Sequence, residues 1–221
     1  MGDGQQHDRK SLRPRSCVCA VAVAVSLLAA GDAVARTAVA APPGPRFASE
    51  VVRLVATGAE QTVEGTYVFV NDQDSTRALI LYPFPKDSLL GAPRLIDASI
   101  SHGARPPEVL SVWADESGWH WTLSMAAGET CRATIRYVQA LAAPHAAYVL
   151  TSTRGWGRPL EHARLEVVLP ENVRRPRFTF AFRKDGCGDG RCVWVYETKR
   201  FLPGKDLVVN WEAPPGSVPP P

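Results

Sequence analysis

Few side chains in this 221-residue chain are spaced for chemistry, and the tightest group is Lys184-Asp185-Gly186-Cys187-Gly188-Asp189-Gly190-Arg191-Cys192. Three glycines permit the left-handed backbone angles of a tight reversal, and Cys187 and Cys192 stand where two flanking strands would meet. Bridged, they close a short loop, whose restriction of the unfolded chain contributes roughly 2 kcal/mol. The same residues invite three functional readings: a redox pair, a metal site built from cysteine and aspartate, or a stiffened binding loop presenting Asp185 and Asp189. A redox pair wants two residues between its cysteines and a helix N-terminus behind the thiolate. Zinc wants two more ligands than the segment holds. The reading that fits best is a Cys187–Cys192 disulfide that staples a hairpin tip.

Other reactive residues are scattered. His102, His120, His145 and His162 stand singly, without metal-ligand spacing, and read as surface or turn residues. The chain has no Gly-x-Ser-x-Gly elbow, no His-Glu-x-x-His pair and no Walker-type phosphate loop. No catalytic residue, metal ligand or cofactor is therefore assigned, and a hydrolase would need a site assembled from distant strands. Trp156 sits in Arg154-Gly155-Trp156-Gly157-Arg158-Pro159, a loop by composition. There an indole flanked by Arg154 and Arg158 would anchor a partner, stack on a sugar, or fold back over the sandwich. Trp119 and Trp121 share a face with Leu123 and Met125, and Trp211 follows Leu207 and Val209, so both sets read as core. Trp113 and Trp194 have apolar residues on both faces of their strands. Cys131 alternates in phase with Ala133, Ile135 and Tyr137 and reads as a buried free thiol. Asn71-Asp72-Gln73-Asp74-Ser75 offers oxygens but lacks the glycine and distal glutamate of a calcium loop, and reads as a polar hairpin.

The elements that must position these residues are strands. From Phe47 to Trp211 the apolar pattern has mostly period two. Arg177 to Arg183 puts Phe178, Phe180 and Phe182 on one face, and Arg164 to Leu169 puts Leu165, Val167 and Leu169 inward. Further strands are expected over 47–57, 62–71, 78–84, 94–101, 108–114, 119–125, 130–140, 146–153, 191–199 and 206–212, about a dozen in all. Polar turns at 71–75, 115–118, 126–129 and 184–186 suit antiparallel neighbours. No helical period is sustained, although 141–147 has room for one turn. Strands alone bury their apolar faces by packing sheet on sheet. The expected fold is all-β, an antiparallel β-sandwich, or two packed sandwich subdomains divided near residues 142–145.

The chain ends carry other information. Arg9, Lys10, Arg13 and Arg15 precede the uncharged fourteen-residue run Cys17 to Ala30, which is followed by Ala33-Val34-Ala35 and Ala38-Val39-Ala40. That order is the pattern of a secretory leader, and the run is shorter than the roughly 18 to 20 residues that span a bilayer. The expectation is a cleaved signal peptide over 1–40, a β-sandwich over 41–213 and an extended Pro-rich tail over 214–221. The protein would then be exported, to the periplasm or beyond, with no transmembrane helix in the mature chain. The leader holds five of the 25 Lys and Arg and three of the 22 Asp and Glu, so the remainder is close to neutral. It has no basic run, and nucleic acid is not expected as a partner. Cys17 and Cys19 leave with the leader, so the rest has cysteines for one bridge and one thiol.

Two blocks carry a family resemblance. Val63-Glu64-Gly65-Thr66-Tyr67-Val68-Phe69-Val70-Asn71, followed by Ala78-Leu79-Ile80-Leu81-Tyr82-Pro83-Phe84-Pro85, resembles the opening of VIT domains, the vault and inter-alpha-trypsin-inhibitor module. Met125-Ala126-Ala127-Gly128-Glu129-Thr130 before Ile135-Arg136-Tyr137 is similar to that module's last turn and strand, for a coverage of about 47–141. Tyr148-Val149-Leu150-Thr151 and Gly155-Trp156-Gly157 resemble an uncharacterised family of exported bacterial β-sandwich proteins. The resemblance implies a sandwich with a protein-interaction or scaffold role. The chain has no room for the metal-binding domain that often follows VIT modules, so metal-dependent adhesion is not implied. The expected function is that of an exported, non-enzymatic binding or scaffold protein, meeting a protein at the cell envelope through loops at one end. A secreted hydrolase with a dispersed site and a carbohydrate-binding module are the alternatives.

Overall fold

The computed structural model describes residues 44–212, so the leader over 1–40 and the tail over 214–221 lie outside the described residues. The described chain is all-β. Its strands are β1 (Arg46–Ala56), β2 (Glu60–Val70), β3 (Thr76–Pro83), β4 (Arg94–His102), β5 (Glu108–Val109), β6 (Trp113–Asp115) and β7 (Gly118–Met125). There follow β8 (Thr130–Ala140), β9 (His145–Tyr148), β10 (Leu160–Pro170), β11 (Arg174–Phe178), β12 (Arg183–Gly188), β13 (Arg191–Phe201) and β14 (Leu207–Glu212). A short 310 helix, Thr151–Trp156, separates β9 from β10.

Three sheets result. The largest runs β12-β13-β10-β1-β2-β8-β4-β5, and two three-stranded sheets run β3-β7-β6 and β11-β14-β9. All pairings are antiparallel except β1 with β10, which is parallel, Ser49 facing His162 and Val55 facing Val168. A parallel pair needs a crossover rather than a hairpin, and here the crossover is everything from β2 to β9. Residues 142–145 join β8 to β9, and the large sheet takes strands from both sides of them.

The core lies between the large sheet and the two small ones. Strand β2 turns Val63, Tyr67 and Phe69 inward, and β8 turns in Cys131, Ala133, Ile135 and Tyr137. Trp119, Trp121, Leu123 and Met125 of β7 are buried as their alternation implies, and Cys131 is a buried free thiol. The β3-β7-β6 sheet packs edge-on to the large sheet's aromatic rings, Tyr82 at 6.0 Å and Trp119 at 5.5 Å from Tyr137. The β11-β14-β9 sheet meets it where Phe178 lies 5.7 Å from Trp194. Gln61 ties β9 to β2: its amide donates to the Ala147 carbonyl (3.0 Å) and accepts from the Ala147 N–H (3.1 Å).

Several elements depart from expectation. The strand expected through residues 177–183 is cut: Phe178 ends β11 in one sheet, and Arg183 starts β12 in another. Between them the Phe182 N–H bonds the Phe180 carbonyl (2.9 Å), a reversal that no Gly or Pro announces. The stretch 146–153 is strand only to Tyr148. Trp211 is half-buried rather than core, and Trp113 is exposed. His120 and His145 are buried, not surface residues: the Trp113 ring stacks over His120 at 5.7 Å, and His145 sits between Asn210 and Asp87. The expected Cys187–Cys192 bridge is present and joins β12 to β13 at the sheet edge.

Gly65 has a demanding position. A Cβ there would overlap the Tyr67 phenol, which leans back along β2 over the bare backbone. Gly65→Ala is expected to lower stability by roughly 1–3 kcal/mol, read as a shifted urea midpoint, because moving the ring would break its hydroxyl bonds to Tyr82 and Tyr148.

Candidate functional site

The three sheets meet at three tyrosines. Tyr67 of β2 in the large sheet bonds through its hydroxyl to that of Tyr82 on β3 and to that of Tyr148 on β9, each at 2.9 Å. Three hydroxyl protons serve two bonds, so one proton remains for another acceptor. Burial raises all three phenols above their ordinary range, and they stay protonated.

Glu50 enters this junction from β1. A register shift between Phe47 and Ser49 turns both Phe47 and Glu50 inward, and Glu50 faces Tyr67 across the β1–β2 ladder. It is 2% exposed, and its Oε1 has no hydrogen-bond partner among the described residues. Burial pushes its carboxyl from the ordinary 4.5 up to about 8. The indole N–H of Trp121 is likewise buried and without a partner among the described residues.

Both groups line one cavity, with about 40 Å³ open to the centre of a water molecule. Tyr67, Tyr82, Tyr148, Thr153 and Trp156 complete its wall. A single water needs only about 10–15 Å³ on this measure, so the cavity has room for more than one small polar group. It shares Ile80, Leu81, Ser152 and Trp156 in its wall with a surface groove of about 520 Å³ along β3. Among the described residues β3 pairs only with β7, which leaves its other edge unpaired, and Leu79 and Leu81 are exposed.

Trp156 lines both the cavity and the groove. The 310 helix that carries it is pinned at its start by Asp206, whose Oδ1 accepts from the Leu150 and Thr151 N–H groups (2.8 Å each). It ends at Gly157 in the left-handed region (φ 71°). The indole folds back onto Phe47 at 5.7 Å and Phe69 at 5.4 Å, while Arg154 is exposed and Arg158 half-buried beside it. Asp185 and Asp189 are not near. Trp156 precedes the Leu160 end of β10, whereas the 188–191 tip lies across from its Pro170 end. Ten residues of strand, roughly 33 Å, separate the two loops, so they do not form a joint surface at one end.

Each histidine of the described chain meets a carboxylate. His102 Nδ1 lies 3.2 Å from Glu129, His120 Nε2 2.9 Å from Asp115, His145 Nε2 2.7 Å from Asp87, and His162 Nε2 2.9 Å from Glu197. Ser117 joins His120 and Asp115, but not as a catalytic triad. Ser117 and Asp115 both approach Nε2, and the serine hydroxyl donates to Asp115 (2.6 Å). Cys131 lies 3.0 Å from His102 Nδ1, and burial pushes its thiol up to about 11, which disfavours a nucleophilic thiolate. His102 and Glu129 line a shallow concavity of about 380 Å³.

Glu50, Tyr82 and Tyr148 were not legible as a site because no motif links them. The available signal was Glu50 in step with Val52, Leu54 and Ala56, a carboxylate in an apolar row.

No family model matches the chain, and no curated protein matches it in sequence. Among solved structures it is similar to a candidate nutrient binding protein from Legionella pneumophila, at 15% identity and a TM-score of 0.58. That match covers 76% of this chain and 66% of the other. It is also similar to an M1 zinc metallopeptidase from Deinococcus radiodurans, at 14% identity and a TM-score of 0.49, over 76% of this chain and 42% of the other. The first likeness establishes a shared β fold, and the chain spans less than two thirds of the length of either protein.

The state of Glu50 sets a pH dependence. The folded carboxyl keeps its proton to about pH 8, whereas the unfolded one loses it near 4.5. The folded state therefore binds more protons in between, and stability is fullest below pH 4.5 and falls as pH rises through 8. The loss is on the order of 5 kcal/mol. Glu50→Gln is expected to flatten this fall in urea unfolding followed from pH 5 to 9; a slope unchanged by the substitution would contradict the assignment.

Proposed function

We propose that the protein is exported and works by binding, and that its site is the β3 groove leading under Trp156 to Glu50. One observation carries the reading: a buried carboxyl oxygen, without a partner among the described residues, on a residue lining a cavity that shares a wall with a groove. An unsatisfied buried polar atom costs about 1–3 kcal/mol, a cost that a hydrogen-bonding occupant offsets. The unpaired edge of β3 adds a template on which an extended segment can form main-chain bonds. Exposed Leu79 and Leu81 and the half-buried Trp156 supply apolar contact beside it.

The partner in this proposal is a protein at the cell envelope, in line with the VIT-like strand pattern. The leader-like order of residues 1–40 supports export, as does the Cys187–Cys192 disulfide, a bond that persists outside the reducing cytoplasm. The Legionella neighbour is named for nutrient binding, and the groove and cavity suit a binding role here as well.

The mature protein is expected to capture a defined partner from envelope extract and, on binding, to slow amide exchange across residues 76–83. Trp156→Ala and the pair Leu79→Lys and Leu81→Lys should each weaken capture by about tenfold or more, and replacement of residues 185–191 should leave it intact. Capture indifferent to the β3 and Trp156 changes would contradict this site.

A further inference from the structure

A second group of side chains has chemistry that the groove does not use. His102 closes β4, Cys131, the second residue of β8, is its direct cross-strand partner, and Glu129 occupies the turn just before β8. Their nearest ligand atoms, an imidazole nitrogen, a thiol sulfur and a carboxylate oxygen, all lie within 4.8 Å of one another. The arrangement is held from behind. Glu129 Oε2 accepts from the Ala126 N–H (2.7 Å), its carbonyl accepts from the Asn71 N–H (2.9 Å), and the Gly103 N–H bonds Thr130 (2.8 Å). Glu129 Oε1 is thereby directed toward the other two.

The three atoms make an incomplete set by themselves. His102 Nδ1 faces the Cys131 sulfur at 3.0 Å and Glu129 Oε1 at 3.2 Å. One ring nitrogen carries one proton or offers one lone pair, so it serves the thiol or the carboxylate but not both. A cation among the three satisfies them together. Around a tetrahedral zinc-sized ion such atoms stand about 3.3–3.6 Å apart, and the two distances from Nδ1 are a few tenths of an ångström shorter than that.

Two neighbours point the same way. His102 Nε2, on the far side of the ring, lies 3.8 Å from the exposed Glu108 Oε1, too far for a hydrogen bond as it stands but close enough that a small approach of the carboxylate would let it accept the Nε2–H and fix the tautomer that frees Nδ1 for a metal. The positive charge now at Glu129 Oε1 is Arg105 at 3.3 Å, an exposed side chain free to swing away. The cluster's open side is the concavity lined by Ser75, Thr76 and Ser124, while fully buried Cys131 lies beneath.

We propose that His102, Glu129 and Cys131 form a three-ligand site for a borderline divalent cation of the zinc class, its fourth position open toward the concavity. Binding forms a metal–sulfur bond and releases the thiol proton to solvent, with no change of oxidation state. Imidazole, thiolate and one carboxylate suit zinc or cobalt(II) and are a poor set for calcium or magnesium, which prefer oxygen ligands. Glu108 is a positioning residue here. The proposal does not depend on the groove being a binding site.

The test is titration of the mature protein, its Cys187–Cys192 bridge intact, with Co²⁺, followed by displacement with Zn²⁺. The expected result is one Co²⁺ per chain with a thiolate-to-cobalt charge-transfer band that Zn²⁺ abolishes. The band should vanish in Cys131→Ser and His102→Ala, and affinity should fall roughly 10- to 100-fold in Glu108→Gln. Circular dichroism without metal shows whether each variant is folded, and exposed Glu108 offers a change that leaves the core untouched. Absence of the band in the wild-type protein, its persistence in folded Cys131→Ser, or unchanged affinity in Glu108→Gln would overturn the proposal.

Discussion

Three hydroxyl groups, one from each sheet, meet at Tyr67, and the architecture is organised around that meeting. Each bond contributes only about 1 kcal/mol net, but leaving a buried hydroxyl without a partner costs more than making the bond yields. Tyr67, Tyr82 and Tyr148 must therefore be brought together or not buried at all. The sequence around them accommodates this: Gly65 vacates the space for the Tyr67 ring, and small Ala133 lies opposite it on β8. The separate sheets are thereby held at fixed positions over the large one.

The same junction explains why a site lies here. Aromatic rings from three directions do not close a seam completely, and the remaining space is lined by Glu50 and Trp121, each with a buried polar atom that has no partner among the described residues. A well-packed hydrophobic residue at position 50 would be the simpler choice for stability, since a buried carboxyl without a full set of partners is costly. The strain-free way to keep such a group is to give it a proton, an occupant, or both. Trp156, tilted against Phe47 and Phe69, forms with Ser152 and Leu81 the wall that the cavity and the groove share.

Most of the fold was legible because alternation in Thr130 to Tyr137 or Trp119 to Met125 has one consistent apolar phase. Glu50 was obscured because β1 offers two phases, Phe47, Val51 and Val55 against Val52, Leu54 and Ala56, and the register shift after Phe47 decides between them. The break after Phe178 was hidden for a related reason: Phe178, Phe180 and Phe182 keep their alternation across a change of sheet. Trp156 stands out in the sequence as a loop aromatic, but its separation from the 185–191 hairpin depends on how far β10 extends. The histidine–carboxylate pairs join residues up to 58 positions apart, as in His145 with Asp87, and only tertiary packing reveals them.

The central claim is that Glu50 is a sealed carboxyl inside the tyrosine junction. Its most direct test is a carboxyl-carbon NMR titration of the protein labelled at glutamate, with Glu50→Gln to assign the signal. The structure predicts an inflection near pH 8. An inflection at the ordinary 4.5 would place the group in water and contradict the account.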